Sequence, residues 1–132
     1  MSELVLLRLP AHIADRVGIG TTSPGGQLDI RGTDDLTNDS VAVQLGVYDT
    51  TALAANVGAY LGLGGIYTSG GSQMTFGAIM GGKLNATNDN TAGYLAFYTR
   101  EQGENMGTSG ERMRIDNDGK VGIGETNPDE ML

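Results

Sequence analysis

The sequence predicts an all-β protein rich in glycine: an antiparallel β-sandwich, or a sheet interleaved among several chains. Three observations carry that expectation. Several segments alternate apolar and small residues with a period of two, the spacing of side chains along a strand. Clusters of Gly, Asn, Asp, Ser and Thr separate them, as turns do. Glycine supplies 22 of 132 residues, against an average of about 7%, while aromatics are 5% and prolines number three. Glycine without a three-residue period excludes collagen, and so little proline argues against a disordered linker.

Taken in order, the chain opens on "LVLLRL" (4–9), an apolar run that reads as a first strand or as a strand offered to a neighbour's sheet edge. "VGIG" follows at 17–20. "SVAVQLGV" (40–47) places Val41, Val43, Leu45 and Val47 on one face of a predicted strand. "TTALAANVGAY" (50–60) is the best helix candidate, because Ala and Leu favour helix, although it lacks a charged face. "QMTFGAIM" puts Met74, Phe76, Ala78 and Met80 on one side; "GYLAFYTR" does the same with Leu95 and Phe97, and "ERMRID" with Met113 and Ile115. The opposite faces are mostly small, which predicts close packing of another sheet or chain there. Asn117-Asp118-Gly119 then predicts a hairpin into "KVGIG". The organisation expected is an N-terminal strand and first joint over 1–32, a central β domain over 33–116, and a second joint over 117–132.

Charge and residue inventory narrow the function. With 16 acidic and 8 basic residues the net charge is −8, and the basic residues are scattered, so phosphate-backbone binding is not expected. Such acidity keeps an assembled particle soluble. The N-terminus carries Glu3 and no basic lead-in, a poor secretory signal, and the most apolar stretch, 52–66, is short and broken by Asn56 and glycines. A membrane span takes about 18 apolar residues, so no membrane insertion is expected. His12 is the single histidine and cysteine is absent, which leaves nucleophilic triads and zinc sites almost no material. "GAIMGGKL" (77–84) satisfies a P-loop spacing but has Leu84 where a magnesium-binding hydroxyl should stand. "DNDG" (116–119) lacks the distal carboxylate of a calcium loop, and Gly18-Ile19-Gly20 lacks the third glycine of a dinucleotide fingerprint. No acidic pair is singled out for sugar hydrolysis. The sequons "NDS" and "NAT" read as inert without a signal peptide. No catalytic residue, metal or cofactor is expected.

One feature is left over. "VGIGTTSPGGQL" (17–28) and "VGIGETNPDEML" (121–132) share seven residues of twelve at a constant offset of 104 (121 − 17). Val17, Gly18, Ile19, Gly20 and Pro24 correspond to Val121, Gly122, Ile123, Gly124 and Pro128. Alternation with glycine gives a strand with one bare side, suited to a symmetry axis or a close neighbour. The prolines donate no hydrogen bond and mark where pairing stops. Leu28 and Leu132 then return an apolar side chain. The ten motif residues form an expected assembly joint.

The run from Leu95 to Pro128, an aromatic-Thr strand (Phe97 to Thr99), a polar loop, "ERMRI" (Glu111 to Ile115), Asp118-Gly119 and "VGIGETNP", resembles the shaft and pre-tip segments of bacteriophage tail fibres. The likeness covers the last third of the chain, and 16–31 as a second copy. Residues 40–90 share only the style. What it implies is an elongated homotrimer of interleaved chains, each repeat closed by its joint. In that family the motif often precedes a self-cleaving chaperone, which is expected here to be absent, removed or unnecessary.

The expected function is therefore a structural, non-enzymatic virion fibre protein, extracellular, whose main partner is itself. Two alternatives stand beside it. One is a filament subunit that polymerises head-to-tail by strand addition. The other is a tip module that binds a host surface glycan or protein, with Tyr48, Tyr60 and Tyr67 as candidate receptor contacts.

Overall fold

A computed structural model describes residues 16–32 and 45–129, which fall into two compact units, 1–46 and 47–132. In the first unit β1 (Val17–Ile19) pairs in parallel with β2 (Leu28–Ile30), Val17 standing opposite Leu28 and Ile19 opposite Ile30. Asp29 ties the intervening turn down: its carboxylate accepts from the Gly25 amide at 2.8 Å and pairs with Arg31 at 2.8 Å.

The second unit is an antiparallel meander of five strands in chain order. These are β3 (Gly58–Ile66), β4 (Gln73–Lys83), β5 (Gly93–Thr99), β6 (Glu111–Ile115) and β7 (Val121–Ile123). One helical turn, α1 (Met106–Ser109), interrupts it between β5 and β6, capped by Asn105, whose side chain accepts from the Gly107 amide. The all-β, antiparallel fold expected from the alternation is thus what forms. Within residues 47–132 the described strands make one sheet and not two layers.

Cross-strand register divides this sheet into two unlike faces, since residues directly opposite share a face. On the inner face one row runs Tyr60, Met80, Ala96, Arg114, Gly122, with Ala78 beside Tyr98 and Gly82 beside Tyr94 in the flanking rows. Met80, Ala78, Ala96, Tyr94 and Tyr98 are the buried core, Ala96 completely so. The small residues expected to admit another sheet instead admit the chain's own tyrosines. A β-carbon on Gly82 would run into the Tyr94 ring. The two tyrosine rings lie over the small residues, and Tyr60 meets Tyr98 edge-on with centroids 5.5 Å apart.

The buried face of β5 is therefore Tyr94, Ala96 and Tyr98, while Leu95 and Phe97, the apolar face predicted for that strand, lie on the other side. Phe76 also departs from its expected place beside Ala78 and Met80. Pairing skips from Leu63–Gly77 to Gly64–Thr75, so Phe76 sits in a bulge and is exposed. Residues 51–57 are irregular and 58–60 begin β3, so the helix candidate is not one; the chain is drawn into the sheet edge instead. Of the predicted strand 40–47, residues 40–44 lie outside the described residues, and 45–47 are not strand. "LVLLRL", His12 and Leu132 also lie outside them.

Candidate assembly interface

The two copies of the joint fold alike over 17–20 and 121–124. A β-carbon on Gly18 would meet the carbonyl of Thr21, and one on Gly122 the carbonyl of Glu125, so in both copies the chain turns back over the bare glycine. Gly20 and Gly124 follow with φ of 74° and 72°, left-handed backbone that glycine adopts without strain. The bare side of the strand at Gly18 and Gly122 is thus filled by the motif's own turn. Pro24 and Pro128 come after β1 and β7 have ended, where pairing was expected to stop, and Pro128 is buried.

The copies differ in what stands beside them. In the first, the Val17 amide donates to the Gln27 carbonyl at 2.6 Å and the Arg31 amide to the Ile19 carbonyl at 2.8 Å, so a returning parallel strand covers one edge. In the second, β7 closes a hairpin with β6 through the predicted Asp-Gly turn. Gly119 has a φ of 82°, and the Asp116 carboxylate accepts from the Asp118 and Lys120 amides at 2.9 Å each.

The inner face is locked by a polar cluster that sequence reasoning missed. Pairing skips Arg112 between Phe97–Met113 and Tyr98–Glu111, and this bulge turns Glu111 onto the same face as Arg114. The two form a bidentate ion pair, 2.7 Å at Nε and 2.8 Å at Nη2, with both side chains nearly buried. Tyr98 Oη donates to Glu111 at 3.0 Å, and the Arg114 guanidinium stacks 3.7 Å over the Tyr94 ring. Burial and then the Glu111 charge push the Tyr98 hydroxyl well above its ordinary pKa. The bidentate bond to Glu111 raises Arg114 further still. The alternation of "ERMRI" places Arg114 but cannot show the bulge that supplies its partner.

The outer face has no such cover among the described residues. Leu61, Ile79, Phe97, Met113 and Ile123 stand opposite one another in a row across all five strands. A second row runs Ala59, Gly81, Leu95, Ile115, Val121. Ile123 is 73% exposed, and Leu61, Leu63 and Leu95 are also open. A contiguous apolar sheet face of this kind marks an interaction surface.

The candidate receptor tyrosines are not brought together. Tyr60 belongs to the inner face against Tyr98. Tyr67 follows the far end of β3 in the hairpin loop, where its amide donates to Ser72. Tyr48, 80% exposed, lines a shallow groove of about 480 Å³ with Asp49, Leu53, Gly58 and Lys83 at the near end. Hydrogen bonds from Thr51 hold the Asp49 carboxyl below its ordinary pKa. The segment with P-loop spacing lies in β4, where Lys83 Nζ donates to the Asn90 carbonyl, so it is a strand and no phosphate cradle.

No protein-family model matches the chain, and no curated protein matches it either. Among the described residues, no helix is long and apolar enough to cross a membrane, and no three His, Cys, Asp or Glu side chains are grouped to hold a metal ion.

Proposed function

We propose that this chain is a structural segment of a virion fibre, non-enzymatic, that assembles with copies of itself to extend or display an attachment element outside the cell. The observation that carries the reading is the outer row Leu61–Ile79–Phe97–Met113–Ile123 on a sheet whose other face is already closed. Burying apolar area stabilises by about 25 cal/mol per Å², so copies packed through this face gain what a single layer cannot supply. A count of three copies follows from the resemblance of "ERMRI…DG…VGIG" to tail-fibre shafts. Absolute mass by light scattering tests it: the expected species is 41.1 kDa, three times 13.7 kDa. A stable 13.7 kDa monomer overturns it.

A receptor-binding reading finds support in one residue only, Tyr48, the most exposed large apolar side chain among the described residues and placed on a groove. Tyr48→Ala that abolishes adsorption to the host while mass and fold stay intact would establish it.

A further inference from the structure

The two copies of the joint differ at their strand edges: β1 pairs with β2, whereas β7 pairs only with β6 among the described residues. In β7 the hydrogen bonds to β6 use Lys120, Gly122 and Gly124: the Asp116 amide donates to Lys120, Arg114 stands opposite Gly122, and the Gly124 amide donates to Arg112. Antiparallel pairing alternates, so the amides and carbonyls of Val121 and Ile123 point away from the sheet. Their counterparts in the first copy, the Val17 amide and the Ile19 carbonyl, are the groups that bond the parallel strand β2. Among the described residues β7 is the last strand of its sheet and nothing occupies that edge.

The glycines differ in the same way. A β-carbon on Gly20 would collide with the carbonyl of Arg31, the residue that donates to Ile19. On Gly124, with the same φ, it would meet nothing within 4 Å. The position that a returning strand fills in the first joint is open in the second among the described residues.

We propose that the outer edge of β7 docks a parallel strand, and that the occupant is β2 of a second copy of this chain. Strand β2 has the polarity and the edge to do so. Its bonds to β1 use Gln27, Asp29 and Arg31, leaving the amides and carbonyls of Leu28 and Ile30 unpaired among the described residues. Docking therefore joins β2 of one copy to β7 of the next without breaking β1–β2. It is a heterologous contact, which links copies head to tail. The short β7 edge carries no charge or proline to prevent it. This goes beyond assembly through the outer face and does not depend on the number of copies held there.

The test is a fluorescently labelled peptide of sequence GGQLDIRG (25–32) titrated with the full chain and followed by anisotropy. Saturable binding is expected, weakened at least tenfold by Gly124→Asn, whose side chain tolerates left-handed backbone but whose β-carbon blocks the incoming carbonyl. Ile123→Pro, which removes the outward amide and no bond to β6, weakens it equally. Circular dichroism checks that each variant is folded, and either alone suffices for the comparison. In sedimentation velocity the wild-type chain should grow with concentration by whole assemblies, and excess peptide should suppress that growth. Absence of saturable binding overturns the proposal, as does equal binding to wild type and a folded variant. Leu61→Glu separates the two readings: it should break assembly through the sheet face and leave peptide binding unchanged.

Discussion

Gly20 and Gly124 show how one residue type at one φ meets two environments. Alanine in the left-handed region costs about 1–2 kcal/mol, and both positions incur that. At Gly20 the added methyl also meets the Arg31 carbonyl, so the β1–β2 pair must separate; at Gly124 it meets open space. Gly20→Ala should therefore disrupt the first joint outright, while Gly124→Ala lowers stability by only about 1–2 kcal/mol, read by amide exchange in each unit. The Glu111–Arg114 pair gives a second residue-scale prediction. Removing one partner of a buried pair costs about 3–5 kcal/mol, because the other charge is stranded. Glu111→Ala should show that loss in denaturant unfolding, and Glu111→Leu with Arg114→Met should recover most of it. A third concerns pH. The folded pKa of Tyr98 is raised, so the stability it contributes is complete below the ordinary tyrosine value of 10.0 and declines as pH rises beyond it. Tyr98→Phe should flatten the fall in melting temperature above pH 10.0.

At the scale of elements, the β6–β7 hairpin rests on Asp116, whose carboxylate accepts two backbone amides across the turn. Each such bond to a charged acceptor contributes about 1.5–3 kcal/mol. Asp116→Ala should free β7 first, seen as faster exchange of the Gly124 amide that donates to Arg112, with exchange in β4 and β5 little changed. In the other unit, Arg31 and the Gly25 amide hold the Asp29 carboxyl down to about 2 from 3.8. Its contribution to the β1–β2 turn is present above 3.8 and is lost as pH falls through about 2. Titration of the Gly25 amide shift should report a midpoint well under the usual carboxylate range. The element-scale features were partly legible in the letters. The Asp-Gly hairpin and strands β4, β5 and β6 follow from turn chemistry and alternation. The helix expected over 50–60 failed because Ala and Leu propensity is a weak preference, overridden when the segment's end pairs with β4.

For the whole molecule, the proposed assembly rests on the outer face. Leu61→Glu or Ile79→Glu places a charge in the row that copies would bury, and burying an unpaired charge costs several kcal/mol. Both variants should abolish the 41.1 kDa species, three times 13.7 kDa, seen by light scattering, with the inner face and its circular dichroism retained.

What the sequence by itself determined is the class: all-β, glycine-rich, acidic, with a repeated motif whose glycines take the same backbone turn in both copies. Those properties are local. Strand periodicity, positive φ and Asp-Gly turns depend on neighbours a few residues away, and letters at that spacing show them directly. Only the tertiary structure decided which face of each strand is buried. Period two marks two faces without ranking them, and apolar Leu95 and Phe97 made the wrong one look interior. Tyr94 and Tyr98 are interior because Gly82 and Ala78, opposite them on β4, leave room for their rings, and because a bulge at Arg112 brings Glu111 to Arg114. That choice turns the conventional apolar face outward and makes it available to another copy.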